Sequence, residues 1–401
     1  MELKKYKIGD LVQVTRGASL GGEFYATQGN YVRLTCGNFD YRNNCFKENQ
    51  SKDNIYYTGG FKEEFLLEKG DIITPLTEQA IGLLGSTARI PESGKYIQSQ
   101  DIAKIDCNES LLNKDFAFYL ISSAFVKQQL SAAAQQTKIR HTSPDKIKEC
   151  TVWIPSLDIQ KRIGRILTDI DNKIAINRQI NDNLEAMAKQ LYDYWFVQFD
   201  FPNEEGKPYK SSGGAMVWNE KLKREIPKEW MASNYTDLFT IGNGQTMPQN
   251  EGLVPAYGGN GIVKMVEISN YPACIIIGRV GANCGSIHYS KVPCWVSDNA
   301  ISICSKNDDW QPFLFYSLKL YNLSKNKGGS SQPLITHEAL KHLYFPMSEK
   351  HINQFCHIVN ELQDLIYSNQ QEMLKLTKQR DELLPLLMNG QATVNYHLSD
   401  D

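Results

Sequence analysis

Basic and amide side chains in two polar runs are the residues of this chain best suited to bind a ligand. Residues 135–141 read Gln-Gln-Thr-Lys-Ile-Arg-His, and residues 325–332 read Lys-Asn-Lys-Gly-Gly-Ser-Ser-Gln. Lysine and arginine reach phosphates, whereas arginine, glutamine and asparagine can read base edges through paired hydrogen bonds. Arg16 beside Gly17 offers the same chemistry. These residues favour nucleic-acid binding, although ordinary solvated loops have the same composition.

Motifs of common catalytic sites are absent from the sequence. It contains no G-x-x-x-x-G-K-[ST] phosphate loop, no H-E-x-x-H zinc motif and no G-x-S-x-G nucleophile turn. It also lacks the Asn-Pro-Pro-aromatic and Asp-Pro-Pro-aromatic tetrapeptides of base-amino methyltransferases. Gly278-Arg279-Val280-Gly281 follows an apolar run without the G-x-G-x-x-G spacing, so it predicts a strand–turn–strand. We therefore expect no catalytic residue.

Composition narrows the class of protein. The 43 Lys and Arg residues are balanced by 45 Asp and Glu residues in a chain of 401, so a uniformly basic surface is excluded. Local basic patches remain possible. We expect no membrane span and no secretory signal, because no apolar stretch is long enough. The nine cysteines include no C-x-x-C pair and predict free thiols in a reducing cytoplasm.

Four cysteines recur ten residues apart, at Cys274, Cys284, Cys294 and Cys304. A metal site needs ligands that converge on one point. Each of these cysteines lies in or beside a different short apolar run, so we predict structural roles and no bound metal.

Two long helical patterns, 192 residues apart, must position the polar runs. Steps of four and three through residues 163–195 meet mostly apolar side chains, as in the seam of a coiled coil. The same steps through 355–387 give the same pattern, and Asn369 falls where Asn177 did. Upstream, Gly17 matches Gly244 at an offset of 227. The chain is therefore an internal repeat of globular region and helix.

The repeat and the composition shifts predict the domain boundaries. Three prolines and a Ser-Ser-Gly-Gly run indicate an extended connector between the halves. We predict a first globular region at 1–152, a first helix at 153–200, the connector at 201–226, a second globular region at 227–345, a second helix at 346–390 and a tail at 391–401.

The chain resembles the specificity subunits of Type I restriction–modification systems over essentially its whole length. The features that carry the resemblance are Trp153-Ile154-Pro155, residues 159–167, 188–196, 199–202, 206–214 and 226–230, and the ending 383–391. Two features depart from the family pattern. Ile159 stands where a glutamate is usual, and the start of the second helix, residues 349–354, is divergent.

The resemblance implies an α+β fold. Two mixed α/β target recognition domains would be separated by two long antiparallel helices, a coiled coil, with a pseudo-two-fold internal repeat. It also implies sequence-specific recognition of double-stranded DNA. Since the two globular regions differ in sequence, the target should be asymmetric and bipartite, with a spacer of fixed length. The alternative is a coiled-coil scaffold with two heads that bind ligands other than DNA.

By the same resemblance the chain is not an enzyme. It would dock two modification subunits, which carry S-adenosylmethionine and transfer methyl groups to adenine. Restriction subunits, which use ATP with Mg, would join them. No cofactor is expected in this chain, and a cytoplasmic location is expected.

Within this interpretation particular residues have predicted roles. The predicted DNA contacts are Arg16, Lys138, Arg140, Gln245, Arg279, Asn283, Lys325, Lys327 and Gln332. Asn177, Asn181 and Asn369 would fix the register of the helices, unless they face solvent. Inserting four residues near Asn177 should then lengthen the spacer by roughly one base pair. The residues predicted to dock partner subunits are Tyr192, Trp195 and Phe196, with packing inside the molecule as the equal alternative.

Overall fold

The chain divides into two compact units in a computed structural model. The first unit comprises Met1–Ala175 and Met373–Asp401, and the second comprises Ile176–Glu372. The structure describes residues 2–50, 53–78, 82–133, 140–281, 283–321, 323 and 335–392. Each unit contains one globular region and a part of each long helix.

The first unit is rich in short strands. Its strands are β1 (Lys4–Lys7), β2 (Val12–Arg16), β3 (Tyr25–Ala26), β4 (Tyr31–Arg33), β5 (Phe39–Asp40), β6 (Cys45–Phe46), β7 (Tyr56–Tyr57), β8 (Ile72–Pro75), β9 (Thr77–Glu78), β10 (Ala88–Arg89), β11 (Tyr96–Ile97), β12 (Ile102–Cys107), β13 (Arg140–His141) and β14 (Thr151–Ile154). Its short helices are α1 (Ile8–Leu11), α2 (Lys114–Ile121), α3 (Ala124–Ala133) and α4 (Pro144–Glu149).

The core of the first unit forms between a sheet and α2. The sheet has the strand order β10-β8-β12-β2 and is antiparallel. Ile72 and Ile105 from the sheet pack in one buried cluster with Phe116 of α2. A second sheet, β11-β4-β7-β3, contains the parallel pair β11–β4. Strand β1 pairs with β14, just before the first long helix.

The second unit has the corresponding elements. Its strands are β15 (Met216–Asn219), β16 (Arg224–Pro227), β17 (Met231–Asn234), β18 (Phe239–Asn243), β19 (Val254–Gly258), β20 (Gly261–Val266), β21 (Cys274–Gly278), β22 (Ile287–Ser290), β23 (Trp295–Val296), β24 (Ala300–Ser305) and β25 (Tyr344–Met347). Its short helices are α6 (Tyr235–Leu238), α7 (Gln311–Leu320) and α8 (His337–Lys341).

The predicted repeat is confirmed by the sheet topology. The sheet β22-β21-β24-β18 has the order of β10-β8-β12-β2, and β17 pairs with β25 as β1 pairs with β14. The sheet β20-β19-β23 likewise contains one parallel pair, β19–β23. The core again joins sheet to helix, through Ile275, Ile303 and Phe313 of α7. The two globular regions thus share one architecture.

The two long helices are α5 (Leu157–Tyr192) and α9 (Glu349–Met388). In the first unit, Asp171 of α5 pairs with Arg380 of α9. In the second unit, Asn181 contacts Asn369, and Tyr192 near the end of α5 contacts Phe355 near the start of α9. In the first unit, Ile163 near the start of α5 also shares a buried cluster with Leu387 near the end of α9, so each unit by itself shows antiparallel pairing. Apolar side chains at coiled-coil spacing explain both helices.

The ends of the long helices follow from local sequence. After α5, the chain makes a π-helical turn at Asp193–Val197 and then bends at Phe199, whose φ is 65°. Helix α9 ends before Gly390, whose φ of 71° is the left-handed conformation that favours glycine after a helix. The sequence predicted an end of the second helix at Gly390, and the last residue of α9 in the structure is Met388. No helix within the described ranges has the length and apolarity needed to cross a membrane.

The predicted extended connector differs from the structure. Residues 216–227 form the antiparallel hairpin β15–β16. Phe201 is buried and stacks on Trp230, with ring centroids 4.9 Å apart. The prolines and glycines of this segment indicate turns, whereas its aromatic side chains give it surfaces to pack. Phe201 and Ile226 of this segment therefore belong to the second unit's core.

Candidate nucleic-acid interface

A tight turn between β21 and β22 presents two of the predicted DNA contacts, Arg279 and Asn283. The backbone N–H of Gly278 donates to Ser286 O at 2.9 Å, and that of Gly285 donates to Gly278 O at 2.8 Å. Strands β21 and β22 pair directly, so the predicted strand–turn–strand is confirmed. The side chain of Asn283 is exposed and that of Arg279 is half-buried. Both residues therefore lie at one edge of the sheet.

Further loops meet this turn and complete what we call the second reading edge. The backbone N–H of Arg279 donates to Asn299 O at 2.9 Å, and that of Gln245 donates to Val296 O at 2.9 Å. The loop at Gly259 also lies beside this turn, because a Cβ atom added to Gly259 would be 3.7 Å from the Cβ of Asn283. Three predicted contacts, at positions 245, 279 and 283, are thus brought to one edge.

Sequence reasoning missed two exposed amides at this edge. Asn260 lies in the Gly-Gly-Asn-Gly turn between β19 and β20, and Asn299 precedes β24. Asparagine can read adenine through paired hydrogen bonds. The glycines around Asn260 were the available signal, because they permit close backbone approach. Asn299 carried no comparable signal in the sequence.

The first unit has a matching backbone frame, which we call the first reading edge. Leu76 N donates to Asp101 O at 2.8 Å, as Arg279 N donates to Asn299 O. Thr142 N donates to Leu76 O at 2.8 Å, and Ile335 N donates to Arg279 O at 3.1 Å. The two edges are therefore built on equivalent hydrogen bonds.

A further backbone bond completes the match. Ala18 N donates to Gln98 O at 2.9 Å, as Gln245 N donates to Val296 O. Each of these residues also forms a parallel bridge, Ala18 to Ser99 and Gln245 to Ser297.

The side chains on the two frames are unlike. The half-buried Arg279 corresponds to Leu76, which is 2% exposed. Likewise Asn299 corresponds to Asp101, whose carboxylate accepts a hydrogen bond from the Thr77 hydroxyl at 3.3 Å. The same backbone thus presents different donors and acceptors in each unit.

The remaining predicted DNA contacts have varied positions. Arg16 is exposed at the end of β2, and its Nε donates to Gln100 O at 2.7 Å. Arg140 lies in β13, whose backbone pairs with β9. Four predicted contacts lie outside the described residues: Lys138, Lys325, Lys327 and Gln332.

The asparagines of the helix seam are hydrogen-bonded within the second unit. Asn177 Nδ2 donates to Glu372 Oε2 at 2.7 Å, and Asn369 Nδ2 donates to Asn181 Oδ1 at 2.9 Å. Asn181 Nδ2 also donates to the backbone oxygen of Ile366 at 3.3 Å. Asn177 and Asn181 are buried, so they do not face solvent. Their role in fixing register stays a prediction.

The three aromatic residues predicted to dock partners lie inside the second unit. Tyr192, Trp195 and Phe196 are at most 5% exposed. The ring of Phe196 contacts Phe313 at 4.9 Å and Phe355 at 5.3 Å between centroids. Packing inside the molecule, the alternative interpretation, accounts for these side chains. As placed, they present no surface to a partner.

Three of the four regularly spaced cysteines come together. The Cys274 and Cys294 sulfurs are 3.5 Å apart, and hydrogen bonding to Cys294 and Cys304 raises the pKa of Cys274. Cys284 lies elsewhere, where its Sγ donates to Arg279 O at 3.2 Å. Within the described part of the chain, no group of three or more His, Cys, Asp or Glu residues is placed to hold a metal ion.

Comparison with known proteins identifies the family. A family model described as the Type I restriction modification DNA specificity domain matches residues 1–186 and 227–380. The chain therefore belongs to this family. Recognition of DNA sequence, as a specificity subunit of a Type I restriction–modification system, is its function.

Individual relatives agree with this assignment. The Type I restriction enzyme MjaIX specificity subunit of Methanocaldococcus jannaschii is 24% identical over 309 residues, 70% of this chain and 69% of that protein. The HindI specificity subunit of Haemophilus influenzae is 27% identical over 199 residues, 49% of this chain and 41% of that protein. The crystal structure of a Type I restriction–modification S subunit from M. genitalium has a TM-score of 0.62 at 18% identity, covering 97% of this chain and 96% of its own. That structure has the same fold.

Proposed function

We propose that the chain reads an asymmetric, bipartite target in double-stranded DNA, one half-site with each reading edge. The observation that carries the proposal is the pair of equivalent backbone frames with unlike side chains. Identical frames would dock on DNA in the same manner, whereas base choice depends on the side-chain donors and acceptors. With Arg279 on one frame and Leu76 on the other, two equal half-sites are not expected.

The spacer between the half-sites is set by the two long helices in this proposal. The 36 residues of α5 span ~54 Å at ~1.5 Å per residue, and both units contain a part of this helix. The hydrogen-bonded asparagine seam opposes sliding of α5 against α9, because a slip would leave buried amides without partners. A fixed helix register supports a fixed spacer length.

The partner subunits supply the chemistry in this proposal. Modification subunits carry S-adenosylmethionine and methylate adenine, and restriction subunits use ATP with Mg. This chain holds the duplex in position for them, as base flipping requires. It contributes no cofactor site and no bond-breaking step.

An exposed apolar stripe on the long helices is the proposed docking surface for modification subunits. On α5, Ile176, Ile180 and Met187 follow one another at spacings of four and seven residues, and they are 41–56% exposed. On α9, Ile358 and Leu365 are exposed at a spacing of seven. Apolar helix faces of this kind are typically covered by partner helices.

Methylation mapping tests the DNA-reading proposal. The chain is co-expressed with its modification subunit in a host without adenine methylation, and modified adenines are located by sequencing. We expect two unlike half-sites at one fixed spacing. An uninterrupted motif, or a spacer of variable length, would contradict the proposal.

A substitution at Arg279, compared with a control substitution, tests which half-site the second reading edge reads. Arg279→Leu, which introduces the residue type of Leu76, should change base choice in one half-site and leave the other intact. Lys306→Leu is the matched control, because Lys306 is exposed just beyond the opposite end of β24. Equal effects of the two substitutions would contradict the assignment.

The docking surface has its own test. Ile180→Glu should weaken co-purification with the modification subunit by about tenfold or more, because it places a charge in an apolar contact. Gln179→Glu adds the same charge at the neighbouring exposed position of α5. Equal retention of the partner by both variants would exclude the stripe as the docking surface.

A further inference from the structure

The tip of the β19–β20 hairpin exposes two adjacent apolar side chains. Ile262 and Val263 are 57% and 63% exposed, although they are neighbours in one strand. In a regular strand, successive side chains point to opposite faces, so one of the pair would usually be covered. The same strand ends at Val266, which is fully buried. The exposure of both side chains therefore needs a local cause.

A β-bulge provides that cause. The register pairs Tyr257 with Ile262 and Ala256 with Lys264, so Val263 is the extra residue of the strand. Bulges re-aim side chains and are common beside functional sites. Here the bulge follows Gly261, whose φ of 92° requires a glycine. The backbone is thus shaped to turn two β-branched apolar side chains towards solvent.

The hairpin tip lies against the second reading edge. A Cβ on Gly259 would be 3.5 Å from Gly278 Cα and 3.7 Å from both Asn283 Cβ and Asn299 O. The Ser286 hydroxyl also donates to Gly259 O. Ile262 and Val263 therefore follow directly on a turn held among candidate base-reading residues.

We propose that Ile262 and Val263 recognise the C5-methyl group of a pyrimidine in the half-site read by the second unit. The inference rests on the proposed function and names a determinant of its base choice. In the major groove, thymine presents a C5-methyl group beside its O4 acceptor, and apolar side chains contact that methyl group. The neighbouring amides and guanidinium would read polar base edges in the same groove. The methyl group belongs to thymine or to 5-methylcytosine, which share this chemistry.

Replacing thymine by deoxyuridine tests the contact, because uracil keeps the polar edge and lacks only the methyl group. Affinities are measured for the complex of the full chain with its modification subunits, on duplexes substituted at one pyrimidine at a time. Wild type should lose about three- to tenfold in affinity at one thymine, in keeping with the burial of one methyl group. If 5-methylcytosine replaces a cytosine at that position in a variant target, the affinity should rise.

The variant Ile262→Ala/Val263→Ala should bind thymine and deoxyuridine duplexes equally. The matched control is Leu253→Ala, because Leu253 is 91% exposed at the opposite end of the same hairpin. It should keep the wild-type thymine preference. If the double variant has a lowered melting temperature, the ratio of thymine affinity to deoxyuridine affinity is measured for the two single substitutions instead.

The outcomes separate the inference from the proposed function. Specific binding of the target with no deoxyuridine effect at any position would overturn the inference alone. A deoxyuridine effect of unchanged size in the Ile262→Ala/Val263→Ala variant would also overturn it. Equal binding of target and scrambled duplexes by the wild-type complex would instead overturn the proposed function.

Discussion

Two glycines hold equivalent places in the reading edges because a backbone carbonyl leaves no room for a side chain. A Cβ on Gly17 would overlap the carbonyl oxygens of Gln98 and Ser99, and one on Gly244 would overlap that of Ser297. Neither glycine has a positive φ, so close approach explains both. The backbone N–H of Gly17 donates to Ile102 O and that of Gly244 donates to Ala300 O, both at 3.2 Å. Ile102 and Ala300 lie at equivalent positions in the two sheets. The spacing of Gly17 and Gly244 in the sequence thus reflects the shared frame.

Gly17→Ala should therefore disturb the first reading edge. We expect it to lower the free energy of unfolding by about 1–3 kcal/mol, because the strands must move apart. Methylation of the native target should fall with it. Gly60→Ala is the control, since Gly60 has an ordinary φ and no atom within 4 Å of an added Cβ. Similar melting temperatures for the two variants would contradict the steric explanation.

The candidate site could be predicted from sequence only as a set of residue types. Gln245, Arg279 and Asn283 were predicted as contacts because of their chemistry, and the structure brings them to one edge. Leu76 corresponds to Arg279 because of how strands far apart in the sequence pair. Composition does not encode this pairing. The sequence also could not predict the burial of Trp195, because aromatic side chains are common both in protein cores and in interfaces.

At the scale of elements, the two units differ in how an equivalent buried tyrosine hydroxyl is hydrogen-bonded to a long helix. In the first unit, Tyr119 donates to Asp171 at 2.6 Å, and Arg380 crosses from α9 to Asp171 at 2.9 Å. Burial and the nearby carboxylate raise the pKa of Tyr119. In the second unit, the equivalent tyrosine, Tyr316, accepts from the neutral Gln363 at 3.0 Å. The repeat offset of 192 places Ala188 where the first unit has Arg380.

This comparison predicts how the charged pair responds to substitution. Arg380→Ala should lower the free energy of unfolding by about 3 kcal/mol, because Asp171 loses its cation in a partly buried place. Arg380→Ala/Asp171→Gln, which copies the second unit, should recover most of that loss. Both are measured by urea unfolding, with the exposed Lys378→Ala as control. A double variant as unstable as the single variant would show that charge compensation is not the reason for the pair.

A histidine beneath the connector makes the stability of the second unit depend on pH. His351 packs on Phe201 at 4.0 Å and on Trp230 at 5.4 Å between ring centroids. Burial, with a smaller effect of Lys350, lowers the pKa of His351 from 6.5 to about 4. The folded state thus prefers the neutral ring, and the unfolded state binds the proton first as pH falls. The resulting stability is fully present above pH 6.5 and is lost between about 6.5 and 4.

The corresponding prediction concerns the pH profile of unfolding. The free energy of unfolding should fall by roughly 1–2 kcal/mol over that interval, allowing for partial exposure of the ring. His351→Gln should remove this part of the slope. His357→Gln, at an exposed position of the same helix, should leave it in place. A wild-type slope in the His351→Gln variant would assign the pH dependence to other groups.

Elements with strong periodicity were predictable, and the connector was not. Helices α5 and α9 follow from apolar residues at coiled-coil spacing, and the end near Gly390 follows from glycine conformation. The connector was predicted as extended because its prolines and glycines dominate local propensity. Its structure depends instead on contacts of Phe201 with residues as distant as His351. Contacts of that range leave no periodic signal.

At the scale of the whole molecule, the sequence predicted the repeat but not how the chain divides. The predicted boundaries treat each long helix as a separate segment. In the structure, the division falls within both helices, at Ala175 and Ile176 in α5 and at Glu372 and Met373 in α9. Antiparallel pairing causes this, because each globular region packs with the start of one helix and the end of the other. Pairing between helices is a long-range property.

The division within the helices gives a sharper test of spacer length than one insertion near Asn177. Four residues are added between Ala175 and Ile176, and four more between Glu372 and Met373. The Asp171–Arg380 and Asn177–Glu372 contacts each stay within one unit, so both can be kept. The added ~6 Å of helix corresponds to about two base pairs at ~3.4 Å each.

We expect the methylated target of this double insertion to keep both half-sites and to gain about one to two base pairs of spacer. Insertion into α5 alone cannot keep both helix contacts, since the register on one side must slip by about one turn. It should therefore lower the melting temperature more than the double insertion does. Methylation mapping of both variants measures the spacer directly. If the double-insertion variant folds and its complex with the modification subunits methylates targets with the original spacer, the helices do not set the distance between half-sites.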